Sequence, residues 1–274
     1  SLGGVCLNWG CIPTKALIKS AQVFEYLNHA ADYGLSVSGV DKDFSAVVKR
    51  SRDVASGMSK GVQFLMKKNK IDVIMGFGKI QPGKKVEVTD ADGKKTVYEG
   101  KNIMIATGAR ARALPNVPID GEKVIEYRKA MSLEKRPDSL VIIGSGAIGV
   151  EFAYVYAAMG TKVTIVEFLP NVVPVEDEDV SKELAKQYKK MGIDILTSSS
   201  VESVDTKGKG CKVQIKTPTG NTEIQCDIVL SAAGVICNLE NIGLEEVGII
   251  VDKGRIPVNA WYETNMPGYF AIGD

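Results

Sequence analysis

Two cysteines, Cys6 and Cys11, stand five positions apart in the stretch Gly3-Gly4-Val5-Cys6-Leu7-Asn8-Trp9-Gly10-Cys11-Ile12-Pro13-Thr14-Lys15, and they are the residues best suited to chemistry. Two close thiols can make and break a disulfide, and a thiolate at a helix N-terminus is stabilised by the positive end of the helix dipole. On a straight α-helix, positions i and i+5 have Cα atoms about 8–9 Å apart, whereas a disulfide needs about 4.4–6.8 Å. The chain must therefore bend between the two. Gly10 supplies the freedom, and Pro13 suits a first turn whose N–H groups lack helical partners. Metal binding is the competing use of paired cysteines. The sole histidine, His29, is eighteen residues from Cys11, and no second close cysteine pair completes a four-ligand set. Redox chemistry is the expectation, with no metal.

A second constellation begins with the apolar run Leu140-Val141-Ile142-Ile143, which reads as a buried parallel strand. It enters Gly144-Ser145-Gly146-Ala147-Ile148-Gly149, followed by a helical pattern to Met159 and a strand over 162–167. This is G-x-G-x-x-G in the strand, turn and helix frame of a dinucleotide site. The first glycine allows the tight turn, the second lets backbone approach a pyrophosphate, and the third lets the helix pack on the strand. The phosphates then meet free N–H groups at the helix N-terminus. Gly144, Gly146, Ile148, Gly149 and, further along, Gly234 form the expected coenzyme loop. Glu167, eighteen residues after Gly149, can accept a hydrogen bond from a ribose 2′-OH and would repel a 2′-phosphate. Residues 168–181 contain no Arg or Lys to receive such a phosphate, so the coenzyme is expected to be NAD.

The elements that must position these groups follow from periodicity. Apolar residues at three- and four-residue spacing predict helices over 16–31 and 44–68, the second with Gly57 and Gly61 as a close helix contact. His29 falls off the apolar stripe and is expected to be solvated. Short β-rich runs predict strands over 71–75, 86–89, 96–98 and 102–106, with a hairpin at Asp92-Gly93. Residues 110–118, with two prolines, read as a connection, placing a boundary near Pro115. A helix over 179–191 and strands over 193–196, 212–216, 222–225 and 228–231 complete an α/β unit. Cys211 and Cys226 are expected to be packing residues. The chain ends with an apolar run into Gly273-Asp274, where an acid at the carboxyl end of a strand can bind a ribose or sugar-alcohol hydroxyl or can be part of an ordinary turn.

Among 274 residues, 34 Lys+Arg balance 33 Asp+Glu, leaving a net charge of +1, so no overall field draws the chain to nucleic acid or to a membrane surface. No apolar run approaches the ~20 residues of a membrane span. Five scattered cysteines are not a secreted disulfide framework, and their odd number leaves one unpaired, which suits a reducing compartment.

The segment from Gly3 to Lys15 resembles the redox motif of the flavoprotein disulfide reductases, in the version carried by their dihydrolipoamide dehydrogenase branch. Ala106-Thr107-Gly108, Gly144 to Gly149 followed by Val150-Glu151, and Ala271-Ile272-Gly273-Asp274 stand in that family's order. The resemblance implies an α/β fold of two dinucleotide-binding (Rossmann-like) domains: a partial FAD-binding domain over 1–115, an NAD-binding domain over 116–238 and a return segment over 239–274. It implies that dihydrolipoamide on a carrier protein reduces a Cys6–Cys11 disulfide, that electrons pass to FAD, and that NAD is reduced. Cys6 would be the interchange thiol and Cys11 the flavin-facing thiolate. Lys15 and Glu151 match the family's ion pair, a buried cation beside the flavin. Thr107, Gly108 and Asp274 match flavin-binding positions. Ala147 stands where glutathione-reducing relatives carry a gating tyrosine.

The same resemblance places the family's own Gly-rich FAD fingerprint before residue 1, and its interface domain with an acid–base His–Glu pair after residue 274. The chain is thus expected to be truncated at both ends, to hold FAD poorly and to lack the full activity alone. A lipoyl-bearing protein of a 2-oxo acid dehydrogenase or glycine cleavage complex, a homodimer and a bacterial-like cytoplasm are the implied partner, assembly and compartment. The alternatives are another NAD(P)H-dependent flavoprotein disulfide reductase and a non-catalytic dinucleotide-binding module that senses redox state.

Overall fold

Gly10 is where the amino-terminal helical stretch breaks. The computed structural model, which describes residues 2–273, has α1 over Gly4–Trp9 and α2 over Cys11–Asn28, with Gly10 between them at φ −132° and ψ −124°. A Cβ on Gly10 would stand 2.9 Å from the Cys6 Cα and 3.1 Å from the Val5 carbonyl oxygen, so only glycine passes this close. The bend required by the cysteine spacing is present. Next comes α3 (Phe44–Lys68), at the bounds that periodicity predicts.

Five short strands follow: β1 (Phe77–Gln81), β2 (Lys85–Thr89), β3 (Lys95–Glu99), β4 (Ile103–Ile105) and β5 (Ala109–Ala111). The chain continues through β6 (Val124–Ile125), α4 (Tyr127–Ala130), β7 (Ser139–Ile143), α5 (Ala147–Ala158), β8 (Lys162–Val166), α6 (Glu178–Lys190) and β9 (Asp194–Leu196). Then come β10 (Ser200–Asp205), β11 (Cys211–Thr217), β12 (Gly220–Cys226), β13 (Ile228–Ser231), β14 (Val235–Cys237), α7 (Leu244–Val247) and β15 (Tyr269–Ala271).

Two compact units result: one joins the residues up to Gly61 with Ala111–Gly234, the other joins Val62–Arg110 with the residues from Val235. The redox segment clusters with the glycine-loop sheet rather than with residues 62–110. Packing explains this: Leu17 and Ile18 of α2 join the core of Phe152, Val155 and Tyr156 on α5, and Ala21 meets Ala158 and Met159.

In the first unit a five-stranded sheet runs in the order β6-β13-β7-β8-β9, with every described pairing parallel. Its strands are buried on both faces, which is why they read as continuous apolar runs. Leu140, Ile142, Ile165 and Leu230 face the helices, whereas Val141, Ile143, Val166 and Val229 face a second, antiparallel sheet of order β10-β11-β12. The strand order reverses between β7 and β13, and ligands of such sheets bind at the carboxyl ends of strands at that switch point. The second unit has an antiparallel β1-β2-β3 sheet and the pairs β4–β15 and β5–β14, with a core including Ile80, Ile105, Ile242, Leu244 and Tyr269. The hairpin at Asp92-Gly93 joins β2 and β3 as expected.

Two expectations are corrected. Residues 71–75 form no strand: the β1–β2 ladder starts at Phe77 opposite Thr89, and Ile71, Val73, Ile74 and Met75 remain exposed. Gly57 and Gly61 touch nothing within 4 Å of a would-be Cβ. The close face of α3 is instead Ser51, Ala55 and Ser59, one turn apart, with the Ser51 hydroxyl donating to the Pro13 carbonyl at 2.9 Å and Ser59 to the Leu2 carbonyl at 3.1 Å. No helix among the described residues is long and apolar enough to cross a membrane.

Phe152 is 1% exposed at the centre of the helix-side core. Phe152→Ala should lower unfolding free energy by about 3–5 kcal/mol, read as a shifted urea midpoint; a midpoint unchanged from wild type would place the core elsewhere.

Candidate active site

The glycine loop sits where β7 ends and α5 begins, and its three glycines differ in what surrounds them. Gly144 has φ +99°, and a Cβ there would meet the Ala232 carbonyl oxygen at 2.6 Å; its N–H donates to the Val166 carbonyl at 2.8 Å. Gly149 lies so close under the loop that a Cβ would come within 2.0 Å of the Gly144 carbonyl oxygen. Gly146 is different: its φ is −66° and nothing lies within 4 Å of a would-be Cβ. Nothing internal demands a glycine there, so the open space is what fits an outside group. No side chain caps α5, which leaves the N–H groups of its first turn available to an anion. Ile148 is half-buried against the helix-side core, so the loop is presented to a ligand by backbone. Gly234, at φ +98°, follows Ala232 by two residues at the end of the β13 run.

Glu167 follows β8 and is only 7% exposed. Its Oε2 accepts the Ser145 N–H at 2.7 Å and the Ser145 hydroxyl at 2.6 Å, and its Oε1 accepts the Leu169 N–H at 2.8 Å. A carboxylate has about four acceptor positions, so three are taken and one on Oε1 remains for a ribose hydroxyl. Sequence reasoning missed Ser145, which is fully buried. The signal was available: a hydroxyl inside the glycine turn, beside the end of the next strand.

The redox end of the site lies in the same unit. Cys6 and Cys11 are free thiols, both exposed, on either side of the Gly10 bend. The Cys11 thiol is raised above its ordinary pKa, first by its hydrogen bond with Cys6, then by desolvation and by the charge of Cys6, with Lys15 pulling the other way. The backbone N–H at the start of α2 also lowers it, as a helix N-terminus should, but the neighbouring Cys6 thiol outweighs both. Lys15, one turn along α2, pairs with Glu151 in the second turn of α5. Lys15 is 62% exposed and Glu151 28%.

Arg52 of α3 braces the motif from behind: its Nη2 donates to the Asn8 carbonyl at 2.7 Å, and its guanidinium lies 4.3 Å from the Trp9 ring centroid. Periodicity alone gave no sign of this contact, since it crosses 44 residues. Thr107 and Gly108 belong to the second unit, where their carbonyls accept from Asn238 Nδ2 at 3.1 Å and Asn238 N–H at 2.9 Å. Asp274 lies outside the described residues. His29 is exposed, its Nδ1 2.9 Å from the Glu25 carbonyl, as its position off the stripe requires.

The sequence model of the pyridine nucleotide-disulphide oxidoreductase family matches residues 1–274. The chain belongs to this family. Relatives include dihydrolipoyl dehydrogenases of Zymomonas mobilis, 43% identical over 274 residues, and of Rhizobium etli, 43% identical over 292 residues, each matched along all of this chain. The chain spans 59% and 60% of their respective lengths. Among solved structures, LpdA from Mycobacterium tuberculosis superposes with a TM-score of 0.91 at 28% identity, over 100% of this chain and 60% of that one. The HOCl-induced flavoprotein disulfide reductase RclA from Escherichia coli, as its Cu(II) complex, gives 0.84 at 29% identity, over 99% and 57%. The α/β fold is thus that of the flavoprotein disulfide reductases, an oxidoreductase family whose reactions use a flavin and NAD(P).

Two outcomes follow from the geometry. Gly149→Ala should destabilise the protein by about 1–3 kcal/mol through overpacking, while Gly146→Ala should leave the urea midpoint unchanged and weaken retention on an immobilised nicotinamide nucleotide; equal effects of both on stability would contradict the distinction. Cys6→Ala removes the group that raises Cys11, so the pH midpoint of Cys11 alkylation should fall relative to wild type; a midpoint that stays or rises would show another cause.

Proposed function

We propose that this chain carries the dithiol and coenzyme chemistry of an enzyme that oxidises a protein-bound dihydrolipoyl group and reduces NAD through FAD. The observation that supports the reading is the joint placement, in one compact unit, of two exposed thiols, a lysine one turn beyond them, and that lysine's ion pair with Glu151 in the second turn of the glycine-loop helix.

In the oxidised pair, a substrate thiolate attacks Cys6 Sγ, the Cys6–Cys11 bond breaks and Cys11 leaves as thiolate; the second substrate thiol then displaces Cys6, releasing the cyclic disulfide and leaving the dithiol. Exchange of this kind favours an accessible sulfur for attack and a stabilised leaving group. Lys15, one turn beyond Cys11, is placed to support that second role, its charge opposing the rise that Cys6 and desolvation impose on the Cys11 thiol. A bound flavin supplies two-electron transfer between the dithiol and nicotinamide. Lys15, Thr107, Gly108 and Asp274 are the residues proposed to hold FAD. Gly144, Gly146, Ile148, Gly149 and Gly234 are proposed to hold NAD, with Glu167 on the ribose through its remaining acceptor position. The homodimer, the lipoyl carrier and a bacterial-like cytoplasm belong to the same proposal.

A different substrate disulfide or acceptor is the second reading, favoured by relatives such as the leghemoglobin reductase of Vigna unguiculata, 38% identical over 278 residues. The complete gene product separates the two. Dihydrolipoamide with NAD should support turnover that Cys6→Ser and Cys11→Ser each abolish; turnover with glutathione disulfide and NADPH instead would sink the lipoyl assignment. Glu167→Gln removes a charged acceptor worth about 1.5–3 kcal/mol, so the preference for NAD over NADP should narrow by about tenfold or more; an unchanged ratio would remove Glu167 from the ribose site.

A further inference from the structure

Cys211 opens β11 and Cys226 closes β12, and the two are direct cross-strand partners in the antiparallel ladder. Residues directly opposite in such a ladder have Cα atoms about 4.5–5.5 Å apart, inside the range of about 4.4–6.8 Å that a disulfide spans. Opposite residues also share a face. Both side chains point into the core between the two sheets, beside Val141, Val213 and Val229. Both are free, buried thiols, and the Cys211 thiol lies 3.8 Å from the Lys123 and Asp227 carbonyl oxygens, to which it donates. Gly210 lets the strands approach here, since a Cβ on it would meet the Cys226 carbonyl oxygen at 2.5 Å.

The two thiols are not equivalent. Lys123 Nζ is held over the start of β11 by the Thr206 and Gly208 carbonyls, at 2.5 and 2.6 Å. The contact with Cys226 and the Lys123 charge lower the Cys211 thiol, against desolvation and the Asp120 and Asp227 carboxylates. Cys226, facing Cys211 and deeper in apolar surroundings, is strongly raised. The cation at the start of β11 makes Cys211 the sulfur suited to attack, and register places Cys226 opposite it to close the bond.

We propose that Cys211 and Cys226 are a second redox-active dithiol, distinct from Cys6 and Cys11, that small peroxides convert to a cross-strand disulfide. Cys211 thiolate attacks one peroxide oxygen, the O–O bond breaks, and Cys211 becomes a sulfenic acid while the other oxygen leaves as water after protonation. Cys226 Sγ then attacks the sulfenic sulfur, the S–S bond forms and a second water leaves. The two thiols lose two electrons and two protons, and one hydrogen peroxide becomes two waters. A buried pair admits a small peroxide more readily than a bulky disulfide, which separates its chemistry from that of the exposed pair. The bond would tie β11 to the end of β12, two residues before the start of β13, the strand whose end carries Ala232 against Gly144.

The test uses the purified protein with Cys237→Ser, treated with hydrogen peroxide, unfolded under alkylation and digested with trypsin. Expected is a linked species joining residues 210–212 to 217–253, lost on reduction and absent without peroxide. With Cys226→Ser the resolving thiol is gone, and dimedone should label Cys211 as its sulfenic acid. Full alkylation of both thiols after peroxide, under conditions that oxidise Cys6 and Cys11, would overturn the proposal. Since the linked species is read in protein that keeps both cysteines, poor folding of the Cys226→Ser form does not rescue it.

Discussion

The first unit depends on how closely α5 can lie against the end of β7. With only a hydrogen at Gly149, the helix comes within 2.0 Å of the Gly144 carbonyl oxygen measured from a would-be Cβ, and no larger residue fits. That approach does two things at once. It presents the N–H groups of the first turn at the carboxyl edge of the sheet, and it places Phe152 and Tyr156 in the core, where Tyr156 donates to the Ala130 carbonyl at 2.7 Å. The redox segment is positioned at second hand. Because α2 packs on α5 through Leu17, Ile18 and Ala21, the thiols at its start are held by the same helix that carries the glycine loop.

Magnitudes show which of these contacts holds and which tunes. An exposed ion pair such as Lys15–Glu151 contributes about 0–1 kcal/mol to stability, whereas one fully buried aromatic or aliphatic side chain contributes about 1.5–3 kcal/mol. The apolar α2–α5 contact therefore fixes the two helices, and the ion pair sets the charge beside the thiols. The same division holds behind the motif. Ser51 and Ser59 are small so that α3 can approach, and Arg52 adds a cation against Asn8 and Trp9.

Buried polar groups carry the finer design of the coenzyme end. Glu167 is affordable in a nearly closed position because Ser145 and Leu169 give it three donors. A carboxylate so held cannot swing to several ligands. It is aimed by the loop it stabilises, so the glycine turn and the acid behave as one preorganised group. Cys211 and Cys226 show the other side of burial, where cross-strand register sets two thiols opposite each other inside the core between the sheets.

Sequence alone determined what depends on local geometry and on residue type. The bend between Cys6 and Cys11 followed from helix rise against disulfide reach. The bounds of α3 followed from periodicity, and the strand, turn and helix of the glycine loop from runs of apolar residues and the absence of side chains at Gly144 and Gly149. Only the tertiary structure decided what depends on a distant neighbour. Residues 71–75 have the composition of a strand but pair with no strand among the described residues, and the ladder starts after Gly76. Gly57 and Gly61 look like a helix contact, yet α3 turns Ser51, Ala55 and Ser59 inward. The partners of Glu167 and the pairing of Cys211 with Cys226 were equally out of reach, because burial and cross-strand register are set by residues tens of positions away. A sequence specifies the period of each element, and the fold specifies which face of it finds company.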